Sequence, residues 1–275
     1  MSQRDHYPPH VPCYVDTLTP DVEAAKRFYS AIFGWAFAGP GPIPGDPPGA
    51  YFVARLRGRD VAGIGSSPGG GDPAPAAWNT HVSVQSADDA TARAQAAGGA
   101  VVIAPFDALP AGRLAVLADP AGAEFCVWEA GDRPGAALVN EPSAWAMSLL
   151  NTDDPGAAQA FYGELFGWRA EAFDAGPGME FWLWRLPGFV GGEPQQSVPR
   201  DVVATMTRID RSAGAPPPNW TVDFWIDDAD AAAATAPGVG GSVLAGPFEA
   251  PPFRRAILAD PNGAPFSVSQ LTVPV

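Results

Sequence analysis

One eight-residue phrase occurs twice in this chain, and it limits the fold more than any other feature. Phe28-Tyr29-Ser30-Ala31-Ile32-Phe33-Gly34-Trp35 returns as Phe161-Tyr162-Gly163-Glu164-Leu165-Phe166-Gly167-Trp168, 133 residues on. The turn-forming Asp119-Pro120-Ala121-Gly122 returns as Asp260-Pro261-Asn262-Gly263, 141 residues on, and Trp78-Asn79-Thr80-His81 is answered by Trp220-Thr221-Val222-Asp223 at 142. Self-similarity on this scale means that one assembly is used twice. The drift in offset requires an insertion in the second copy before Trp220, expected over Pro194–Pro218. The chain therefore divides into an N-terminal arm (1–11), a first module (12–129), a linker (130–143) carrying Pro134, Gly135 and Pro142, and a second module (144–271).

Each module repeats again at lower resolution. An apolar strand leads into Thr19-Pro20-Asp21, a helix start, and the helical period of Val22–Phe33 closes at Gly34, where positive φ suits glycine. Strands follow at Tyr51–Leu56 and Val61–Gly65. The order then recurs with strand Thr80–Val84, helix Ala87–Ala97 and strands near Ala100–Pro105, Leu114–Leu117 and Phe125–Trp128. The second module follows suit, with helices Pro155–Phe166 and Ala229–Ala236. The fold class is α+β, built from four βαβββ units.

Charge narrows the partners. Thirty acidic residues face 16 basic ones, a net charge of −14. Phosphate backbones are held by clustered Lys and Arg, and the chain has no such cluster, so nucleic acid and anionic membranes are not expected partners. No apolar run is long enough to span a bilayer. Met1–His10 is polar, and Cys13 and Cys126 lie in apolar segments, which suits a cytoplasmic protein with free thiols better than a disulfide scaffold.

The βαβββ unit used four times, with FYxxxFGW after the first helix and DPxG before the last strand, resembles the vicinal oxygen chelate superfamily. Its members include glyoxalase I, extradiol dioxygenases, fosfomycin-resistance transferases and bleomycin-resistance proteins. The resemblance covers nearly the whole chain and matches the tandem two-module form of actinobacteria. It implies that the units roll into two cup-shaped, eight-stranded mixed sheets flanked by helices, with a ligand in the cup. Many members hold a divalent metal there on His, Gln or Glu from three strands. Carried over by spacing, the three positions fall on Tyr14, His81 and Cys126 in the first module and Met147, Asp223 and Ser267 in the second. If the modules exchange halves, the sets become Tyr14, Asp223, Ser267 and Met147, His81, Cys126. Neither grouping supplies more than one imidazole or carboxylate, whereas such an ion wants two or three together. No metal and no other cofactor is therefore expected.

Strand alternation then lists what the cups present instead. Trp145 accompanies Met147, Trp225 accompanies Asp223, Trp128 accompanies Cys126, and Trp182 and Trp184 share a face. Trp35 and Trp168 read as structural. Aromatic walls with few polar groups suit a flat organic ligand, and acid excess favours a cationic one. The expected function is metal-free binding of a planar aromatic natural product, as in antibiotic sequestration, self-resistance or relief of product inhibition in biosynthesis. The expected site is Tyr14, His81, Cys126, Trp128, Trp145, Met147, Trp182, Trp184, Asp223, Trp225 and Ser267, with no catalytic residue, in a monomer whose modules act as a pseudo-dimer. The alternative is a glyoxalase-like lyase, isomerase or oxygenase with His81 as base or metal ligand.

Overall fold

The computed structural model describes residues 3–43, 48–67, 76–174, 176, 178–191 and 200–272. The first module runs β1 (Pro12–Thr19), α1 (Val22–Phe33), β2 (Ala36–Ile43), β3 (Gly49–Leu56), β4 (Arg59–Ser66), β5 (Ala77–Val84), α2 (Ala87–Ala96), β6 (Ala100–Ala108), β7 (Gly112–Ala118) and β8 (Glu124–Ala130). The second runs β9 (Trp145–Thr152), α3 (Pro155–Phe166), β10 (Arg169–Phe173), β11 (Phe181–Arg185), β12 (Val202–Arg208), β13 (Asn219–Trp225), α4 (Ala229–Thr235), β14 (Ser242–Ala250), β15 (Phe253–Ala259) and β16 (Pro265–Leu271). Each module closes its own eight-stranded mixed sheet. The orders are β2-β3-β4-β1-β5-β8-β7-β6 and β10-β11-β12-β9-β13-β16-β15-β14. The two units of a module thus meet at β1–β5 and at β9–β13, so halves are not exchanged between sheets. The insertion lies between β11 and β12, which are far apart in sequence where β3 and β4 are joined by a tight turn. It therefore precedes Val202, and residues 192–199 of it fall outside the described chain.

Both repeated motifs have physical roles. Asp21 caps α1 by accepting a hydrogen bond from Ala24 N at 2.9 Å, and Asp154 caps α3 through Ala157 N at the same distance. Gly34 and Gly167 end these helices at φ 71° and 73°, a left-handed turn that a side chain would strain. In the DPxG turns, Asp119 Oδ1 takes the amides of Ala121 and Ala123, and Asp260 Oδ1 takes those of Asn262 and Ala264. The second oxygen of each carboxylate reaches into the other module. Tyr162 Oη donates to Asp119 Oδ2 at 3.1 Å, and Tyr29 Oη lies 3.3 Å from Asp260 Oδ2. Trp220 and Trp78 donate in turn to the two tyrosine oxygens, at 2.9 and 3.0 Å. FYxxxFGW and DPxG are the two halves of one buried lock, made twice about a pseudo-two-fold axis.

The core follows from this exchange. The α1 rings Phe28, Tyr29 and Phe33, with Trp35 beyond the helix, pack on Phe224 and Phe266 of the second module. Phe161, Tyr162 and Phe166 of α3 pack on Phe125 of the first. Trp35 and Trp168 are buried, donating to the carbonyls of Ser143 and His10. The convex faces are thus sealed against helices and the other module, which leaves the concave faces for ligands. Among the described residues, no helix is long and apolar enough to cross a membrane.

Candidate functional site

The positions counted from spacing fall side by side on each concave face. Tyr14 pairs with His81, and His81 with Cys126. Met147 pairs with Asp223, and Asp223 with Ser267. The two floors differ in chemistry and in openness.

The first cup is filled by its own side chains. Tyr14, Asp16, His81, Ser83, Cys126 and Trp128 are all buried. Trp128 stands edge-on to His81 with ring centroids 6.4 Å apart, and Tyr14 does so at 5.8 Å. Tyr51 leans across Gly63, where a Cβ would collide with its hydroxyl, and donates to Asp16 Oδ2 at 2.8 Å. Asn79 Nδ2 donates to Asp16 Oδ1 at 2.9 Å. His81 Nε2 lies 3.1 Å from the same oxygen, at ion-pair distance but too poorly aligned for a full hydrogen bond. Burial pushes the Asp16 carboxyl up, but the adjacent His81 charge and the hydrogen bonds from Asn79 and Tyr51 outweigh it and hold it below its ordinary 3.8. Asp16, Tyr51 and Asn79 were missed as a group, although Asp16 shares the face of Tyr14 by alternation.

This network predicts a stability signature. A carboxyl with a depressed folded value stabilises the fold above its unfolded value of 3.8 and loses that contribution as pH falls below it. Asp119 and Asp260, raised by burial, act oppositely and weaken the fold as pH rises past 3.8. The expected outcome is that Asp16→Asn flattens the loss of melting temperature between pH 4 and pH 3. A variant that falls as steeply as the parent there would remove Asp16 as the cause.

The second floor is half-open. Met147, Leu149, Asp223, Trp225 and Ser267 are partly exposed, whereas Ser269, Thr205 and Leu183 on the same face are buried. Ser269 stands where the first module has Trp128, and Trp225 where it has Ser83, so the indole moves one strand aside and the centre clears. Asp223 Oδ1 accepts from Ser267 Oγ at 2.6 Å, Ser269 Oγ at 2.7 Å and Arg255 Nη2 at 3.1 Å. Arg255 Nη2 is also 3.1 Å from Ser267 Oγ. The wall beyond is apolar, with Trp225 and Phe253 centroids 6.5 Å apart. Met147 also borders a crevice lined by Trp145, Tyr7, Phe189, Arg4 and Arg200. No repeated motif marks Arg255, whose counterpart in the first module is Leu114. Arg254 and its counterpart Arg113 pair with carboxylates on the convex side, Asp230 with Glu249 and Asp88 with Asp107.

Two tryptophans do not face this cup. Trp184 pairs with Ala204 and Trp182 with Met206, and both partners belong to the core between modules. Trp184 is 0% exposed against Tyr162 and Trp168, and Trp182 packs beside it. Phe181, Leu183 and Arg185 take the concave phase instead. Both phases of β11 are apolar, so alternation alone does not say which is inner. Trp145 is also buried, at the rim where a bulge shifts β9 against β13.

Neither floor fits a divalent ion. Ligand atoms must be deprotonated, yet burial pushes the Tyr14 phenol up, and burial with the nearby Asp16 charge pushes the Cys126 thiol up. In the second cup the single carboxylate already faces a guanidinium where a cation would sit. Among the described residues, no three His, Cys, Asp or Glu side chains converge on a point.

Two eight-stranded cups of paired βαβββ units, with their key positions in register at the centre, define the vicinal oxygen chelate architecture. The chain belongs to the glyoxalase-like family of that superfamily, whose Glyoxalase-like domain profile matches residues 13–128 and again 147–269. It is 36% identical over 271 residues to CFP32 of Mycobacterium tuberculosis, named as a candidate glyoxylase, covering 98% of this chain and 97% of that one. It is 34% identical over 278 residues to the anthracycline biosynthesis protein DnrV of Streptomyces peucetius, covering 96% and 94%. The fold is shared with the Mn(II)-bound glyoxalase of Novosphingobium aromaticivorans (TM-score 0.59, 17% identity, 95% of this chain and 82% of that one). It is shared also with the 2,3-dioxygenase LapB of Pseudomonas sp. KL28 (TM-score 0.62, 14% identity, 95% and 93%).

Proposed function

We propose that the protein binds a planar, fused-ring aromatic molecule in the second cup, without a metal and without chemically changing it. The observation that carries this reading is the contrast between the two floors. The first cup is closed by Trp128, Tyr14 and a bonded polar cluster, whereas the second is open, aromatic at Trp225 and Phe253, and polar at one spot. A hollow with an apolar wall and a few fixed polar groups is the usual form of a small-molecule site. Likeness to anthracycline biosynthesis proteins over nearly the whole chain supports a ligand of that shape, because an anthracycline is a fused-ring hydroxyquinone. Trp225 and Met147 supply contact surface, and Asp223 and Ser267 fix orientation. The chain would act as a monomer whose modules form a pseudo-dimer.

The test is a titration of intrinsic tryptophan fluorescence with anthraquinone-type compounds. Saturable quenching in the micromolar range is expected, corresponding to about 8 kcal/mol. Trp225→Ala should weaken binding by about 10-fold or more, while His81→Gln should leave it unchanged. No saturable quenching would end this reading. A second reading, catalysis in the first cup, rests on the Asp16–His81 contact. Recovery of altered ligand, abolished by His81→Gln, would select it.

A further inference from the structure

We propose that Arg255 is the ligand-reading group of the second cup, and that the ligand it selects carries an anionic oxygen, such as a carboxylate or a deprotonated hydroxyquinone, at the end facing the floor. This rests on the binding reading above and departs from the expectation of a cationic ligand. A free Asp223 in an open aromatic cup would draw an amine, but this carboxylate already faces the Arg255 guanidinium. Its side chain is only 12% exposed, and Oδ1 takes three donors, from Ser267, Ser269 and Arg255. The guanidinium is in the opposite condition. It is 31% exposed and gives one nitrogen, Nη2, to Asp223 and Ser267. Among the described residues Nη1 donates to none, and Nε is buried without a partner. Asp223 Oδ2 takes no donor among the described residues, but the guanidinium is the more exposed partner of the pair, and a ligand that completes its bonding must bring an acceptor.

Position supports the same conclusion. Arg255 pairs with Ser269 on one side and Phe248 on the other, both on the concave face. It thus reaches the Asp223 and Ser267 positions and stands beside the Trp225–Phe253 wall on which rings would lie. The equivalent residue in the first cup is Leu114, so the charge belongs to the open cup alone. Asp223 holds the guanidinium in place, as a carboxylate holds an arginine for a second, planar acceptor. The crevice sharing Met147 adds Arg4 and Arg200 to its border. The overall −14 charge opposes anions only weakly at this spot, because solvent ions screen exposed charges beyond about 8 Å.

The experiment compares anthraquinone-2-carboxylate with its neutral carboxamide by fluorescence titration and calorimetry. The parent protein should prefer the carboxylate by about 10- to 100-fold, the ratio expected of a charge-assisted hydrogen bond. Arg255→Gln should erase the preference by weakening carboxylate binding far more than carboxamide binding. Asp223→Asn, which releases the guanidinium, should increase it. Arg255→Lys, retaining the charge without the planar fork, should keep only part of it, and serves if the Gln variant fails to fold. Equal binding of the two compounds, indifferent to Arg255 and Asp223, would overturn this inference and leave ring binding standing. Binding of neither compound would overturn both.

Discussion

Replacing Trp184 by alanine is expected to cost about 3–5 kcal/mol of stability, the range for deleting a large buried ring. In a chain of this size that lowers the melting temperature by roughly 6–20 °C. The indole is wholly buried against Trp168 and Tyr162. Its Nε1 has no partner among the described residues, so Trp184→Phe, which removes the orphaned donor, should cost far less than Trp184→Ala. Trp225→Ala, at a half-exposed position, should cost about 1 kcal/mol or less and register instead in ligand affinity. Urea denaturation followed by circular dichroism separates these outcomes. A Trp184→Ala protein as stable as its parent but unable to bind aromatic ligands would mean that β11 presents its other face to the cup.

Much of the fold was legible because it is written twice. The repeated FYxxxFGW and DPxG phrases mark the same turn and helix end in each module, and the three spacing-derived positions fall in register on neighbouring strands. Motif recurrence could not reveal that the two phrases bond to each other across modules. Tyr29 finds Asp260 and Tyr162 finds Asp119, partners separated by 231 and 43 residues. Spacing located the site but not which cup was open. That depends on single exchanges between copies: Trp128 for Ser269, Ser83 for Trp225, Leu114 for Arg255. Only the last leaves a sequence signal, a charge entering an apolar concave row. The two tryptophans of β11 failed for another reason. A strand apolar in both phases carries no face label, and the helix packed behind it decides.

Cutting the chain between Asn140 and Ser143 is expected to yield two fragments, neither of which folds alone as a monomer, although each contains a whole sheet. The first fragment would expose Phe28, Tyr29, Phe33 and Trp35, whose packing partners Phe224 and Phe266 lie in the second. The second would expose Phe161, Tyr162 and Phe166, which need Phe125. Uncovering three or four rings, each contributing about 1.5–3 kcal/mol when buried, removes an amount comparable to the whole 5–15 kcal/mol that a typical domain has in hand. The linker strengthens the dependence on where the cut falls. Ala136 N donates to Cys13 O at 2.8 Å and Ala137 N to Asp60 O at 2.7 Å, so these residues must stay with the first fragment. Mixed in equal amounts, the fragments should restore a cooperative melt and the two Trp–Tyr–Asp relays. Alone, each should aggregate or pair with itself, because its own tyrosine and aspartate are the two halves of the lock and a second copy supplies the missing half. A cooperative, monomeric transition in either fragment by itself, read by sedimentation and thermal denaturation, would show that the modules are independent and that the shared core contributes little to folding.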